Sequence, residues 1–378
     1  MRVLGFMTGT SLDAVDMAVL ETDGEAITAF GPAGERKLTE ATRDLMLAAT
    51  DAAKALPRGA PEPAIFAEAA RAGAEEHFAA AEEFLAANGL AWTDIDLIGM
   101  HGQTVLHERP KDGVLGRTIQ LGDAALLARL SGVPVAYDFR TADVAAGGEG
   151  APLAPIYHLA RARASGLAPP LAVLNVGGVA NVTFWSGGDR IAAFDTGPGN
   201  GMIDLMVQAR GAGRFDDRGR YASVGRVNEG VLAALLAHPY FRAPAPKSLD
   251  RFDFSLASLD NCELEDAAAT LVAFTAEAVR LGFELMGETP NEVVVCGGGR
   301  HNPQIMKALS ERLPCPVRTA EHHGWRGDAI EAEAFAYLAA RTAAGLPISF
   351  PATTGAPVAM IGGKIVDPSS RRRAILVR

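Results

Sequence analysis

The sequence LGFMTGTS, at residues 4–11, places a glycine-containing polar turn directly after an apolar run, and LNVGGVAN, at residues 174–181, repeats the pattern. Each stretch predicts a strand, a tight turn and a returning strand. The two copies lie about 170 residues apart, and further predicted strands and helices follow each of them. The sequence therefore predicts an α/β protein of two domains with related topology, each presenting a glycine hairpin to one cleft.

Length and composition agree with this prediction. The chain has 378 residues, of which 48% are hydrophobic and 21% are charged. It is therefore long enough for two or three domains of about 150 residues and apolar enough to bury a core. Its 41 glycines form no collagen-like period or low-complexity block. Most fall in short clusters after apolar strands, where we expect them to let the backbone approach a ligand.

Charge and cysteine content exclude several functional classes. A net charge of −10 argues against a nucleic-acid partner, which favours a basic surface. Cys262, Cys296 and Cys315 lack the C-x-x-C spacing of a zinc site and fit a reducing compartment. The apolar start of the chain is too short for a signal peptide, and no run of about 18 apolar residues predicts a membrane span. We therefore expect a soluble, cytoplasmic protein.

The turn after the first strand, GTSLDAVD at residues 9–16, has the composition of a phosphate-binding loop. Glycine and short hydroxyl side chains let backbone N–H groups reach a phosphate, and Asp13 or Asp16 would hold Mg²⁺ directly or through water. The turn is not a Walker A loop, because the sequence G-x-x-x-x-G-K-[ST] is absent. The alternative, a plain tight hairpin with solvent-facing carboxylates, stays open.

Two further glycine turns follow predicted strands. Gly177-Gly178 joins the strands of the second hairpin, and Gly297-Gly298-Gly299 connects the strand at 293–296 to a helix capped by Asn302 with Pro303 in its first turn. The triple glycine would admit a flat base or a sugar, and the helix N-terminus favours anionic groups. Both turns are also common as structural features, and the G-x-G-x-x-G spacing of a dinucleotide site is absent.

Asp195 follows the predicted strand at 191–194 and precedes the turn GPGN at residues 197–200. A carboxylate at this end of a strand lies where open α/β sheets bind ligands, and it would serve as a general base. The alternative is that Asp195 caps the helix that begins near Asn200. We favour the catalytic role.

Three other polar residues are candidates for the site. His101 ends the predicted strand at 95–100, Arg140 precedes the glycine-rich turn region at 141–155, and Glu331 opens the last long helix. Arg140 would clamp a carboxylate or a phosphate. The structural alternatives are a hydrogen-bonding histidine, a surface ion pair and a carboxylate that compensates the helix dipole.

Seven blocks of the sequence together resemble the anhydro-N-acetylmuramic acid kinase family, and they occur in the family's order along the chain. The blocks are residues 5–13, 101–104, 138–140 with 143–153, 174–181, 194–200, 295–299 and 331–339. Two positions depart from the family pattern. Ala14 stands where the family usually has glycine, and Glu149 stands where it commonly has glutamine.

The resemblance implies a two-domain, actin-like (RNase H-like) ATPase and sugar-kinase fold with an interdomain cleft. It implies a phosphotransferase that uses ATP and Mg²⁺ to open 1,6-anhydro-N-acetylmuramic acid hydrolytically and to phosphorylate it to N-acetylmuramic acid 6-phosphate in peptidoglycan recycling. By the same resemblance, Asp195 is the catalytic base. The residues expected to bind ATP are Gly9, Thr10, Ser11, Leu12, Asp13, Ala14, Val15, Asp16, Gly177, Gly178, Gly297, Gly298 and Gly299. The residues expected to face the sugar are His101, Arg140, Asp143, Gly147, Gly148 and Glu331.

We expect domain I at residues 1–142 and domain II at residues 143–345, with the C-terminal segment 346–378 as an optional part of domain I. The expected partners are ATP and a small sugar, without nucleic acid or membrane, and a homodimer is left open. Two alternative functions also stay open. One is a kinase of the same fold for another amino sugar, and the other is a non-kinase ATP-binding protein of that fold.

Overall fold

The computed structural model describes residues 1–9, 12–111, 113–249 and 253–369, and the chain forms two units. Of the described residues, those within 1–164 and 329–369 form unit 1, and those within 165–328 form unit 2. The strands are β1 (Arg2–Thr8), β2 (Ala14–Thr22), β3 (Ile27–Lys37), β4 (Leu97–Met100), β5 (Gln103–Glu108), β6 (Arg117–Leu121), β7 (Val135–Tyr137), β8 (Leu171–Val176), β9 (Val179–Gly187), β10 (Arg190–Pro198), β11 (Glu292–Cys296), β12 (Val317–Thr319) and β13 (Lys364–Val366). The α-helices are α1 (Glu40–Lys54), α2 (Ala64–Ala87), α3 (Ala124–Ser131), α4 (Thr141–Ala145), α5 (Pro155–Ala164), α6 (Asn200–Ala209), α7 (Glu229–Leu236), α8 (Leu264–Met286), α9 (Pro303–Arg312), α10 (Ile330–Ala343) and α11 (Pro351–Thr354).

Each unit is built on a mixed sheet with the same plan. In unit 1 the strand order is β13-β7-β4-β1-β2-β3, with β1, β2 and β3 antiparallel in sequence and β4 and β7 parallel to β1. In unit 2 the order is β10-β9-β8-β11-β12, with β8, β9 and β10 antiparallel and β11 and β12 parallel to β8. Three antiparallel strands followed by two parallel strands therefore occur twice, which confirms the predicted pair of related α/β domains and the actin-like (RNase H-like) plan.

Helix α10 packs directly on the sheet of unit 1. Gly5 of β1 permits this close approach, because a Cβ atom there would lie 2.0 Å from the backbone oxygen of Ala332. The stretch 332–341 of α10 is buried throughout. α10 is therefore a core helix of unit 1.

The structure divides the chain differently from the predicted boundaries at 142/143 and 345/346. Helices α5 and α10 are expected in domain II, but both lie in unit 1. α5 packs against α10 and β3, and the guanidinium of Arg161 lies 3.7 Å from the ring centroid of Phe30. Unit 2 therefore begins after α5 and ends before α10. β13 pairs with β7, which places the described part of segment 346–378 in unit 1.

The burial of His158 in α5 makes the stability of the protein sensitive to acid. The His158 side chain is 3% exposed, and burial lowers the pKa of its imidazole to about 4 from an ordinary value of about 6.5. As the pH falls below about 6.5, the unfolded chain takes up a proton at this position and the folded chain does not. Acid therefore reduces the free energy of unfolding between the two pKa values.

We expect the wild-type protein to lose about 2 kcal/mol more stability than His158→Gln when the pH falls from about 7.5 to about 5. Urea unfolding of both proteins at several pH values measures this difference. Other buried histidines change the free energy of unfolding equally in both proteins, so their effect cancels in the difference. A cost of the substitution that does not depend on pH cancels in the same way. Equal losses in the two proteins would contradict a neutral, buried His158.

Candidate active site

Several of the predicted site residues follow strand ends at one edge of each sheet. In unit 1 the first hairpin follows β1, His101 follows β4 and Arg140 follows β7, and these strands are parallel neighbours. In unit 2, Gly177 follows β8 and Gly297 follows β11, and these strands are also parallel. The carboxyl ends of parallel strands share an edge, and such edges bind ligands in α/β proteins.

The first hairpin turns sharply after Gly9. The N–H group of Leu12 donates to the carbonyl oxygen of Gly9 at 3.1 Å, and Leu12 has a left-handed φ of 56°. Ala14 already belongs to β2, so the alanine at this family glycine position is in extended backbone and needs no left-handed conformation. Thr10 and Ser11 lie outside the described residues.

The side chains of this hairpin divide into a buried pair and an accessible pair. Leu12 and Val15 are buried in the core, so these two have only their backbone available for a nucleotide. Asp13 is exposed and Asp16 is half-buried. Within the described ranges, no three His, Cys, Asp or Glu side chains form an all-protein metal site. Two carboxylates on one hairpin fit Mg²⁺, which usually takes one or two carboxylates and completes its shell with phosphate oxygens and water.

Backbone hydrogen bonds join the Gly177-Gly178 turn to the end of β10 and the start of α6. The N–H groups of Gly199 and Gly201 both donate to the carbonyl oxygen of Gly178 at 3.0 Å, and the N–H of Asn200 donates to that of Gly177 at 2.7 Å. A Cβ atom at Gly199 would lie 2.3 Å from the carbonyl oxygen of Gly177. The docking of residues 199–201 on the second hairpin is a long-range contact that no local sequence pattern reveals.

A buried arginine holds the triple-glycine turn in place. Gly297 has a left-handed φ of 75°, and a Cβ atom there would lie 2.2 Å from Oδ1 of Asn175. Nη1 of Arg300 donates to the carbonyl oxygen of Gly297 at 3.0 Å. The Arg300 side chain is 2% exposed and also donates to Glu321 at 2.7 Å and to Asp328 at 2.6 Å. Arg300 therefore supports this turn, a role that the sequence alone did not indicate.

A cavity of about 380 Å³ lies beside this turn in unit 2. Its lining residues are Asn200, Ile203, Asp204, Phe215, Asp216, Asp217, Arg218, Gly298, His301 and Asn302. As predicted, Asn302 caps α9, and its side chain accepts a hydrogen bond from the N–H of Gln304 at 3.0 Å. The volume is in the range of small-molecule sites. Segment 215–218 has no glycine motif, so its place in the wall was not predictable.

Asp195 lies within β10, because the strand continues past the predicted end at residue 194. It pairs with Asn181, and a β-bulge separates it from Gly197. Bulges redirect side chains and are frequent beside active sites. Oδ2 of Asp195 accepts the N–H of Leu249 at 2.7 Å, and the N–H of Asp195 donates to the carbonyl oxygen of Lys247 at 2.9 Å. These contacts fix the orientation of the carboxylate.

The surroundings of Asp195 argue against a capping role. Helix α6 is capped by Gly199 without a side-chain hydrogen bond. Lys247, on the segment bound to Asp195, is 8% exposed, and burial lowers its pKa to about 8. Its Nζ donates to the carbonyl oxygen of Tyr240 at 2.9 Å. Lys247 thus brings a positive charge to a segment that contacts Asp195, although its sequence position gave no sign of this.

In unit 1, Arg140 and His101 form a hydrogen-bonded pair. Nε of Arg140 donates to Nε2 of His101 at 3.0 Å, and Nη1 donates to the carbonyl oxygen of Gly150 at 2.8 Å. Burial, reinforced by the charge of Arg140, holds the pKa of His101 well below its ordinary value, so the ring is neutral with its proton on Nδ1. Burial lowers the pKa of Arg140 to about 10 against the charges of Glu331 and Asp143, so Arg140 is cationic at neutral pH.

A second cavity, of about 230 Å³, lies beside His101 in unit 1. Its lining residues are Glu62, Met100, His101, Gly102, Thr118, Ile119, Gln120, Gly122, Tyr137, Asp138 and Thr141. Nδ1 of His101 is buried and has no hydrogen-bond partner in the part of the chain that the structure describes. Glu331 is exposed in the first turn of α10.

The glycine loop that follows α4 packs on Asp143. Gly147 has a left-handed φ of 96°, and a Cβ atom at Gly148 would lie 2.2 Å from Oδ1 of Asp143. The Asp143 side chain is buried and accepts the N–H of Gly150 at 2.7 Å. Asp143 therefore organises the loop, and its direct contact with a sugar stays a prediction.

Comparison with known proteins identifies the family. The sequence profile described as "Anhydro-N-acetylmuramic acid kinase" matches residues 1–368. The chain belongs to the anhydro-N-acetylmuramic acid kinase family. This confirms the resemblance carried by the seven sequence blocks.

Individual relatives agree with the profile over nearly the whole chain. The anhydro-N-acetylmuramic acid kinase of Phenylobacterium zucineum is 78% identical over 368 residues, covering 97% of this chain and 100% of the relative. That of Caulobacter vibrioides is 71% identical over 366 residues, covering 97% and 99%. Among solved structures, component A of the (R)-2-hydroxyglutaryl-CoA dehydratase of Acidaminococcus fermentans is similar, with a TM-score of 0.45, 16% identity and coverage of 91% and 99%. Membership of the family does not depend on that last likeness.

Membership of the anhydro-N-acetylmuramic acid kinase family confirms the predicted enzyme class, a phosphotransferase of carbohydrate metabolism. It favours the kinase over the non-kinase alternative. The roles of individual residues in the two cavities and at Asp195 stay predictions. No helix in the described ranges is long and apolar enough to cross a membrane.

Proposed function

We propose that this protein uses ATP and one water molecule to convert 1,6-anhydro-N-acetylmuramic acid into N-acetylmuramic acid 6-phosphate and ADP. Membership of the kinase family over residues 1–368 supports the overall reaction. The observation that carries the mechanism is the placement of Asp195 at a β-bulge, with its carboxylate oriented by the N–H of Leu249. A fixed, half-buried carboxylate suits a general base.

The proposed reaction begins with proton transfer to the Asp195 carboxylate from a water molecule. The oxygen of that water bonds to C1 of the sugar, and the C1–O6 bond breaks. O6 then bonds to the γ-phosphorus, and the bond between that phosphorus and the β,γ-bridging oxygen breaks, which releases ADP. One water is consumed, and one proton is left on Asp195 for release to solvent. The substrate has no free 6-hydroxyl before the bridge opens, so a base that activates water is needed.

ATP is proposed to bind along the glycine turns. The turns at residues 9–16 and at Gly177-Gly178 would contact the phosphates, the second of them through the N–H of Gly178, and the 380 Å³ cavity beside Gly298 would hold the adenosine. Asp13 and Asp16 would hold Mg²⁺, which neutralises phosphate charge when bound. Phosphoryl transfer depends mostly on positioning and charge stabilisation, and hydrogen-bonded turns such as 177–178 on 199–201 supply a fixed backbone for it.

The sugar is proposed to contact the edge of unit 1 that carries the 230 Å³ cavity. Cationic Arg140 fits the carboxylate of the lactyl group, and His101, which lines the cavity, accepts a hydrogen bond from Arg140 and orients it. Gly147, Gly148 and Glu331 would complete the sugar site. A sugar that lacks the lactyl carboxylate would leave Arg140 without its partner.

Cys262 and Cys315 are thiols rather than disulfide partners, which supports the proposed cytoplasmic location, because a reducing compartment preserves thiols. A homodimer stays a prediction.

A coupled assay of ADP formation tests the proposed function. We expect ADP release with 1,6-anhydro-N-acetylmuramic acid, and little above background with N-acetylglucosamine or N-acetylmuramic acid. Mass spectrometry should identify the product as N-acetylmuramic acid 6-phosphate. Preference for a sugar without the anhydro bridge would favour the alternative kinase, and slow ATP hydrolysis that ignores every sugar would favour the non-kinase alternative.

A further inference from the structure

The carboxylate of Asp143 is held from two directions in unit 1. Oδ1 accepts the N–H of Gly150 at 2.7 Å. Oδ2 accepts the hydroxyl groups of Ser349 at 2.5 Å and Thr354 at 2.6 Å. Asp143 is 1% exposed, so a buried charge is balanced by donors on both oxygens.

Further hydrogen bonds, to Asp143, Thr354 and Arg140, restrain the glycine loop at residues 146–150. The N–H of Gly148 donates to the backbone oxygen of Asp143 at 2.9 Å, and the N–H of Glu149 donates to the backbone oxygen of Thr354 at 2.7 Å. The carbonyl oxygen of Gly150 accepts a hydrogen bond from Arg140. Loop, Asp143 and Arg140 therefore form one hydrogen-bonded arrangement.

Two of the groups that donate hydrogen bonds to the Asp143 carboxylate come from the C-terminal part of the chain. Ser349 and Thr354 lie 206 and 211 positions after Asp143, at the start and end of the segment that contains α11. Both are buried, at 1% and below 1% exposure. Neither was predicted as a site residue.

We propose that Ser349 and Thr354 are positioning residues for the sugar. Their hydroxyl groups hold Asp143, Asp143 holds Gly150, and the loop thereby keeps the geometry that Arg140 and residues 147–148 need to receive the substrate. The C-terminal segment thus sets the affinity for the sugar. This inference rests on the proposed function, which assigns the loop to the sugar site.

The test compares two adjacent threonines. Thr354→Val keeps the shape of the side chain and removes the donor to Asp143. Thr353→Val is the matched control, because Thr353 is 2% exposed and its hydroxyl bonds only to the backbone of Phe350 among the contacts that the structure describes. Thr354→Ser restores the hydroxyl, and Ser349→Ala removes the second donor without adding bulk.

We expect Thr354→Val to raise the KM for the anhydro sugar about tenfold or more, with the KM for ATP within about twofold of wild type. Thr353→Val should change neither constant, and Thr354→Ser should return the sugar KM towards wild type. Hydrogen exchange at the Gly150 amide should be faster in Thr354→Val than in Thr353→Val, because its acceptor is no longer fixed. Ser349→Ala should shift both readouts in the same direction.

The results distinguish a failure of the proposed function from a failure of the positioning role of Ser349 and Thr354. A wild-type protein without anhydro-sugar-dependent turnover would contradict the proposed function and, with it, the role given to the loop. A wild-type protein that is active, together with a sugar KM for Thr354→Val no higher than that for Thr353→Val, would overturn the positioning role alone. Equal rises in the KM for sugar and for ATP would also overturn it, because they indicate a general structural defect. If Thr354→Val does not fold, the sugar KM and the hydrogen exchange at the Gly150 amide in Ser349→Ala, compared with those in Thr354→Ser, test the positioning role.

Discussion

Asp195→Asn should lower sugar-dependent ADP formation by about 10²–10⁴-fold, the usual contribution of a general base. Asparagine has nearly the same shape, and its side-chain oxygen can still accept the N–H of Leu249 that bonds to Oδ2 in the wild type. It cannot take a proton from water at neutral pH. The substitution therefore removes the base and preserves the fold of β10.

Steady-state assays and nucleotide titration measure the two parts of this prediction. The dissociation constant for ATP should stay within about twofold of wild type, since the glycine turns are untouched. Asp189→Asn is the matched control, because Asp189 lies exposed at the turn between β9 and β10 and should retain full activity. Turnover by Asp195→Asn at a rate close to wild type would contradict the assignment of the base.

Gly199→Ala should weaken ATP binding by about one order of magnitude or more. The new Cβ atom would lie 2.3 Å from the carbonyl oxygen of Gly177 and 3.2 Å from the carbonyl carbon of Val179. These are backbone atoms, so the second hairpin must move away from the start of α6. Overpacking of this kind costs about 1–3 kcal/mol, and here it displaces the N–H group of Gly178, which we propose as a phosphate donor.

Gly230→Ala is the control for this substitution. Gly230 lies in α7 of the same unit, and a Cβ atom there would meet nothing nearer than Oδ1 of Asn228 at 3.5 Å, which is an ordinary contact. We expect Gly230→Ala to bind ATP like wild type and to unfold at the same or a slightly higher temperature. ATP affinity in Gly199→Ala equal to that in Gly230→Ala would show that the hairpin does not depend on this contact.

The local parts of the fold were readable from sequence because they depend on short-range rules. The two glycine hairpins, the cap at Asn302 and the alternation of strands and helices all follow from turn chemistry and periodicity over a few residues. The repeated plan of the two sheets followed from the similarity of residues 4–11 and 174–181. Asp195 was a candidate because a carboxylate at the carboxyl end of a strand, beside a glycine turn, lies where open α/β sheets bind ligands.

The remaining features depend on contacts between distant residues. Helix α10 was placed in domain II by its position in the chain, but its small residues fit against Gly5 of β1 in unit 1. Arg300 and Lys247 look like ordinary surface residues until the fold buries them. Ser349 and Thr354 carry no motif, and only their approach to Asp143 gives them a role.

In the proposed reaction, water opens the anhydro bridge and O6 accepts the phosphoryl group. Turnover in water enriched in ¹⁸O, followed by mass spectrometry of the sugar phosphate and its fragments, tests it most directly. A parallel sample of finished product in the same water corrects for exchange at the anomeric oxygen. We expect one ¹⁸O on the sugar at C1 and none in the phosphoryl group. A label in the phosphoryl group, or a product without label at C1, would contradict it.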